Sequence, residues 1–436
     1  MTTLSWDELR QLDARHVWRP FTQAGTAAPP LVAVGGRGAR IWDADGREYL
    51  DLVSSWWVNL HGHAHPGIAQ AVAEQAATLE QVIFADFTHA PAVRLAARVA
   101  GLLPGDLNRV FYSDDGSTAI EVAMKMAYQY WRNQGQERRR YVAFAGGYHG
   151  DTVGAMSAGR SSGFFTAWHD LLFPVSVVPF PATWDGDETV AAKEAEALAA
   201  LEAALAPGDV AAVLIEPLIQ GAAGMRMCRP DFLRELAARV SAAGSLLILD
   251  EVMTGFGRTG ALFACVKAGI QPDLVCLSKG LTGGFLPLAM TVARDAIWEA
   301  FLGQELERAF LHGHSYTANP VGCAAGLASL DLLQGAECRA RIAAIEAVHR
   351  RRLDALAGHR AVTRTRLCGT IAAFDVAADE AGYAAAVGPR LKQAFLDQGL
   401  LLRPLGNVVY LLPPYCLEDE DLHRAWDIVG TVLDTL

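Results

Sequence analysis

Apolar residues along this chain recur in two rhythms. Short runs at 141–144, 210–215, 246–249 and 274–277 are bounded by turn residues, and a further run at 108–112 reads as a strand as well. Between them lie longer stretches with helical spacing, beginning near Ile68, running from Ala90 to about Leu102, and covering about 118–131, 188–206 and 321–333. Runs too short for helices, alternating with amphipathic helices, predict strands buried on both faces of a parallel sheet and hence an α/β fold. Three of these strands lead to an ionisable residue: Glu216, Asp250 and, after Ser278, Lys279. Open α/β sheets bind ligands outside the carboxyl ends of their strands, so all three are expected at one edge.

The two ends of the chain read differently. Residues 1–30 hold a short helical pattern and then an irregular arm through Arg19-Pro20-Phe21 and Pro29-Pro30. Segments 39–43 and 48–51 flank Asp45-Gly46 and predict a hairpin, so a small antiparallel unit precedes the main sheet. Ser54 to Leu60 reads as an extended segment that sends Trp56 and Trp57 to opposite faces. After about residue 333 the composition changes, and a long helix, strands near 369–375 and 400–412, and a final helix predict a compact α+β lobe. The expected organisation is an arm with its antiparallel unit at 1–50, a large domain at 51–333 and a small domain at 334–436.

Charge narrows the ligand class. Lys and Arg total 37 against 48 Asp and Glu, a net −11, which offers no basic footprint to nucleic acid or an anionic membrane and favours a small-molecule ligand. The seven cysteines form an odd count with no CxxC pair, the pattern of buried thiols in a reducing compartment. No apolar run approaches the length of a membrane span and acids interrupt the N-terminus early, so a cytoplasmic protein is expected.

The strand ends carry the chemistry. A lysine at such an edge can form a Schiff base with an aldehyde, and a neighbouring carboxylate can keep a pyridine nitrogen protonated. Lys279 and Asp250 are thus the minimum set for using pyridoxal phosphate. Each also has a plainer reading, Asp250 as a helix cap and Lys279 as a solvated loop residue. Gly116-Ser117 opens a helix after a strand and leaves N–H groups free to cradle a phosphate, although Ser117 as an ordinary N-cap accounts for the same letters. Tyr148, on a glycine-flanked loop, suits stacking on a planar ligand or a plain loop position. Arg403 stands in an apolar setting, there to pair with a protein carboxylate or to receive one from a substrate.

Two tempting patterns lead nowhere. His61, His63 and His65 alternate, but Gly and Pro break the strand and nothing completes a ligand set, so no metal is expected. Gly255-Phe256-Gly257-Arg258-Thr259-Gly260 matches the dinucleotide fingerprint in letters, yet four residues separate it from its strand and no helical pattern follows. A nicotinamide dehydrogenase rests on that match alone.

Trp18-Arg19-Pro20-Phe21-Thr22, Ser55-Trp56-Trp57, His61-Gly62, Thr88-His89-Ala90-Pro91, Glu121-Val122-Ala123-Met124-Lys125-Met126-Ala127, Gly147-Tyr148-His149-Gly150-Asp151-Thr152 and Pro413-Pro414-Tyr415 occur together. In combination these words closely resemble the class III aminotransferases of the fold type I pyridoxal phosphate family, over nearly the whole chain. Within that class they resemble the branch that aminates 8-amino-7-oxononanoate in biotin synthesis. The resemblance implies a large α/β domain with a mostly parallel seven-stranded sheet flanked by helices, and a smaller α+β domain.

It also implies roles. Lys279 would hold the cofactor through its amine, and Asp250 would pair with the pyridine nitrogen. Tyr148 and Val252 would cover the two ring faces. Gly116 and Ser117 would bind the phosphate, with Ser315 reaching it from the second subunit of a homodimer whose active sites are shared. Trp56, Trp57 and Tyr148 would wall the acceptor, Phe21 and Gly313 would also meet the substrates, and Arg403 would anchor the acceptor's carboxylate. The implied amino donor is S-adenosylmethionine, with lysine as the alternative. Many users of S-adenosylmethionine carry Tyr where this chain has Phe21, and Pro-Thr where it has His314-Ser315. Another class III enzyme, acting on ω-amino acids, is the remaining alternative.

Overall fold

The apolar run that leads to Asp250 becomes the strand Leu246–Asp250, at the centre of a seven-stranded sheet. This computed structural model describes residues 4–378 and 385–436; residues 1–3 of the expected arm and 379–384 of the expected small domain lie outside the described residues. Across the sheet the order is Leu107–Ser113, Ala289–Arg294, Leu274–Leu277, Leu246–Asp250, Val210–Ile215, Arg140–Phe144 and Ser176–Val178. Ala289–Arg294 runs antiparallel to both neighbours, while the pairs around Leu246–Asp250 are parallel. Both faces of this sheet are covered, so Ile248 and Leu249 are buried completely. Each contributes about 1.5–3 kcal/mol of apolar burial.

The register sets the edge where chemistry collects. Ile215 pairs with Leu249, and Asp250 pairs with Cys276. Glu216, Asp250 and Lys279 therefore leave three adjacent strands on the same side. The helix Gly116–Asn133 lies across one face and buries Ile120, Ala123, Met124, Ala127 and Trp131, a set with helical spacing.

Ala289–Arg294 is a strand that the sequence reading passed over. The chain reaches it from Leu277 through a short 3-10 turn, Lys279–Thr282, and Gly283-Gly284, which is too short a connection to cross over as a parallel strand. Gly284, at φ +89°, has no room for a Cβ, which would meet the Asn59 backbone at 3.0 Å.

The N-terminal hairpin forms at Arg40–Asp43 and Glu48–Asp51, with Asp43 accepting the N–H groups of Asp45 and Arg47 and the Tyr49 hydroxyl. Ala33–Arg37 extends it on one side. On the other side Leu400–Leu401 pairs parallel to Leu50–Asp51, so the unit is mixed rather than purely antiparallel. The expected strand at 400–412 is therefore two: its second part, Val408–Leu411, joins Val362–Cys368 and Ile371–Val376 in a three-stranded antiparallel sheet. Helices Ala336–Leu356, Val387–Asp397 and Asp419–Asp434 accompany that sheet.

The segment bearing the two tryptophans is not extended. Ser54, Ser55 and Trp57 have φ of +50°, +61° and +68°, forming an irregular turn across Ser54–Trp57. Buried Asp51 holds it by accepting the N–H groups of Val53 and Ser55, and His63 Nε2 lies 2.9 Å from the same carboxylate. Trp57 is 6 % exposed and Trp56 39 %, so the two do part ways, through backbone strain rather than strand alternation. Among the described residues no helix is long and apolar enough to cross a membrane.

Candidate active site

The cavity at the sheet edge has a volume of about 430 Å³, and Glu216, Asp250 and Lys279 all line it. Asp250 accepts the N–H of Val252 at 3.1 Å, and its other oxygen lies 2.7 Å from Nδ1 of His149. Both side chains are buried. Carboxyl oxygens of Glu216 and Asp250 and a ring nitrogen of His149 fall within 4.8 Å of one another.

Lys279 begins the 3-10 turn with φ +32°. Its amine makes no hydrogen bond among the described residues and sits 5.4 Å from the centroid of the Trp57 indole. Burial lowers its pKa from the ordinary lysine value, against the opposing pull of Asp250 and Glu216. It is buried rather than solvated, and an amine whose basicity is lowered by burial is suited to act as a nucleophile at this edge.

Helix Gly116–Asn133 opens toward the same cavity. Its cap is Asp115, which accepts the Thr118 N–H at 2.9 Å, not Ser117 as the plainer sequence reading had it. The N–H groups of Gly116 and Ser117 are left without partners among the described residues, the arrangement that binds an anion. A Cβ on Gly116 would lie 2.7 Å from Val252 Cγ1, which leaves no room for any larger residue. Ser117 Oγ accepts the N–H of Asp151 at 3.2 Å, beneath Gly150.

An aromatic wall continues from the cavity outward. Tyr148 packs nearly parallel to Phe165, with centroids 5.9 Å apart, and edge-on to Phe164 at 5.8 Å. Its hydroxyl donates to Asp151 at 2.9 Å, and burial pushes its pKa well up, so it stays protonated. Phe21 meets Phe164 at 6.1 Å and Trp56 at 5.7 Å. The Arg403 guanidinium lies 4.5 Å over the Trp56 ring, and no carboxylate pairs with it among the described residues. Trp57 lines the cavity and donates its Nε1–H to the Tyr410 hydroxyl at 2.9 Å.

Gly313 and Ser315 stand apart. Both are exposed and neither lines this cavity; the Ser315 carbonyl accepts the side-chain amide of Gln81 at 2.8 Å.

Three contributors escaped the sequence reading. His149 sat unassigned inside the Gly147–Thr152 word, although a buried carboxylate at a strand end needs an orienting partner. Phe164 carried no distinguishing signal. Arg258, inside the GxGxxG match, is fully buried and donates to the carbonyls of Pro413, Asn59 and Trp57 at 2.8, 3.0 and 3.4 Å. The glycine-rich motif thus threads an arginine under the Trp57 turn.

Across residues 21–433 the sequence matches the family described as aminotransferase class III. The chain belongs to that family. Relatives and solved structures agree with it. An adenosylmethionine-8-amino-7-oxononanoate aminotransferase of Synechococcus elongatus is 60 % identical over 97 % of this chain and 99 % of its own length. The crystal structure of the enzyme of that name from Methanocaldococcus jannaschii superposes with a TM-score of 0.92 at 33 % identity, covering 99 % of both chains. An amine transaminase from an uncultivated Pseudomonas species, solved in a PLP-bound form, gives 0.89 at 30 % identity over 96 % of this chain and 98 % of its own. The expected class III architecture, a seven-stranded and mostly parallel sheet flanked by helices, is present in this aminotransferase.

Proposed function

We propose that this aminotransferase uses pyridoxal phosphate to transfer an amino group to 8-amino-7-oxononanoate, giving 7,8-diaminononanoate, with S-adenosylmethionine as donor. The observation that carries the reading is the placement of Arg403. A guanidinium stacked on Trp56, without a carboxylate partner among the described residues, stands at the far end of an aromatic wall that starts at the cavity of Lys279 and Asp250. An apolar path ending on a cation suits an acceptor whose reacting ketone is separated from its carboxylate by a methylene chain. The names of the relatives above support both the acceptor and the donor.

The residues present fit the cofactor. The free N–H groups of Gly116 and Ser117 would bind its phosphate, Lys279 would hold it covalently, and Asp250 would keep the ring nitrogen protonated. When bound, pyridoxal phosphate supplies an aldehyde for amine exchange and a ring that accepts the electron pair left on the donor carbon. Tyr148 and Val252 would confine the ring from its two sides. His149 orients Asp250 by its 2.7 Å contact, so the carboxylate presents its charge in one direction. Lys279 Nζ, its basicity lowered by burial, takes a proton from the donor carbon and returns one to the acceptor carbon in the reverse half-reaction. Trp57 and Phe164 would exclude water, and Arg403 would fix the acceptor's far end.

Ser315 would act on the phosphate of a second copy in a homodimer. Support comes from the surface around it, where Ile83, Phe87, Leu311 and Tyr316 are each at least 60 % exposed. We assign cofactor binding to the 51–333 unit, with 334–436 as a small domain and 1–50 as an arm packed with it. The seven free cysteines suit a cytoplasmic enzyme.

Donor choice is tested by a single turnover of the cofactor-loaded enzyme with each amine alone. Loss of the yellow colour with S-adenosylmethionine supports the reading. Loss with lysine alone assigns the amino group to lysine instead.

A further inference from the structure

Glu216 ends the strand Val210–Ile215 on the cavity wall, and none of the roles above uses it. Its Oε1 accepts the N–H of Tyr148 at 3.4 Å, and the Gly221 N–H also faces the carboxyl. Oε2 is buried in the same wall and has no hydrogen-bond partner among the described residues. The charged and titratable groups facing Glu216 are Asp250, His149, Lys279, Tyr148 and Arg226. Arg226 spends its guanidinium on the carbonyls of Ala145 and Phe180.

Two buried carboxyl groups this close disfavour a charge on both. Asp250 has the His149 ring at 2.7 Å and the Val252 N–H at 3.1 Å as partners, whereas Oε2 of Glu216 has none among the described residues, so a proton shared by the pair is better placed on Glu216. Burial and the neighbouring Asp250 raise the Glu216 pKa well above the ordinary carboxyl range, in keeping with a proton resident on Glu216.

We propose that Glu216 is a neutral carboxylic acid whose Oε2–H, without a partner among the described residues and set in the cavity wall beside Asp250, donates a hydrogen bond to an anionic oxygen of the bound cofactor. This rests on the pyridoxal phosphate reading. With the ring nitrogen assigned to Asp250 and the phosphate to Gly116 and Ser117, the phenolic oxygen is the acceptor that a neutral acid matches. A carboxylate there would repel it.

Two substitutions test this. Glu216→Gln keeps a donor and cannot ionise, whereas Glu216→Ala removes the donor. Infrared difference spectra of cofactor-free wild type against E216Q at neutral pH should contain a protonated-carboxyl band from the wild type; its absence overturns the proposal whatever the cofactor. By equilibrium dialysis with pyridoxal phosphate, E216Q should bind within about threefold of wild type and E216A about tenfold or more weaker. Equal losses in the two variants, or none in E216A, also overturn it. Wild type that fails to bind pyridoxal phosphate contradicts the proposed function instead, a result separate from the infrared band.

Discussion

His149 Nδ1 lies 2.7 Å from Asp250 Oδ2, with both side chains almost wholly withdrawn from solvent. The contact joins a loop after one strand to the end of another, and it fixes the direction of the one carboxylate assigned to the cofactor ring.

Replacing His149 by Phe keeps the volume filled and removes the partner. We expect kcat to fall about 10–100-fold, the equivalent of one hydrogen bond to a charged group. Cofactor content, measured after dialysis, should stay near stoichiometric. An unchanged kcat contradicts the orienting role.

Gly116→Ala should push a methyl group into Val252, where the contact is 2.7 Å to Cγ1. The expected cost is about 1–3 kcal/mol of stability, with weaker cofactor binding. Adding Val252→Ala makes room, so the double variant should regain much of the lost thermal stability. A double variant no better than the sum of the two single ones contradicts the steric account.

Arg403→Met removes the guanidinium and keeps much of the apolar stem. KM for the keto acceptor should rise about 10–100-fold, while the half-reaction with the amino donor keeps its rate to within a few fold. Equal damage to both halves places Arg403 outside the acceptor site.

Lys279 is depressed by burial, so its folded pKa lies below its unfolded pKa of about 10.5. Between those two values the unfolded chain binds the extra proton, and stability of the cofactor-free enzyme rises with pH through that window. Below it, the buried charge is a standing penalty. Lys279→Met should therefore raise the melting temperature of the cofactor-free protein at neutral pH and remove this part of its pH dependence. A lower melting temperature at neutral pH contradicts the burial argument.

Much of the sheet and its reactive edge was legible because strands buried on both faces read as unbroken apolar runs, and a charge at their end stands out. Glu216, Asp250 and Lys279 were found that way. Long-range pairing leaves no such local mark. Leu400–Leu401 beside Leu50–Asp51 depends on residues some 350 positions apart, and Arg258 under the Trp57 turn looks in sequence like part of a nucleotide loop. The turn at Ser54–Trp57 was misread because positive φ at Ser and Trp runs against their intrinsic preference; buried Asp51 and His63 impose it from outside the segment. Asp115 took the cap expected of Ser117 because its neighbour Thr118 closes a reciprocal pair with it.

The most direct test is turnover of purified enzyme with pyridoxal phosphate, 8-amino-7-oxononanoate and S-adenosylmethionine, or lysine in a parallel arm, with the product read by mass spectrometry. Wild type should form 7,8-diaminononanoate over many turnovers, and Lys279→Ala should form none beyond background. No diamine from wild type with either donor, or sustained turnover by the Lys279→Ala variant, contradicts the account.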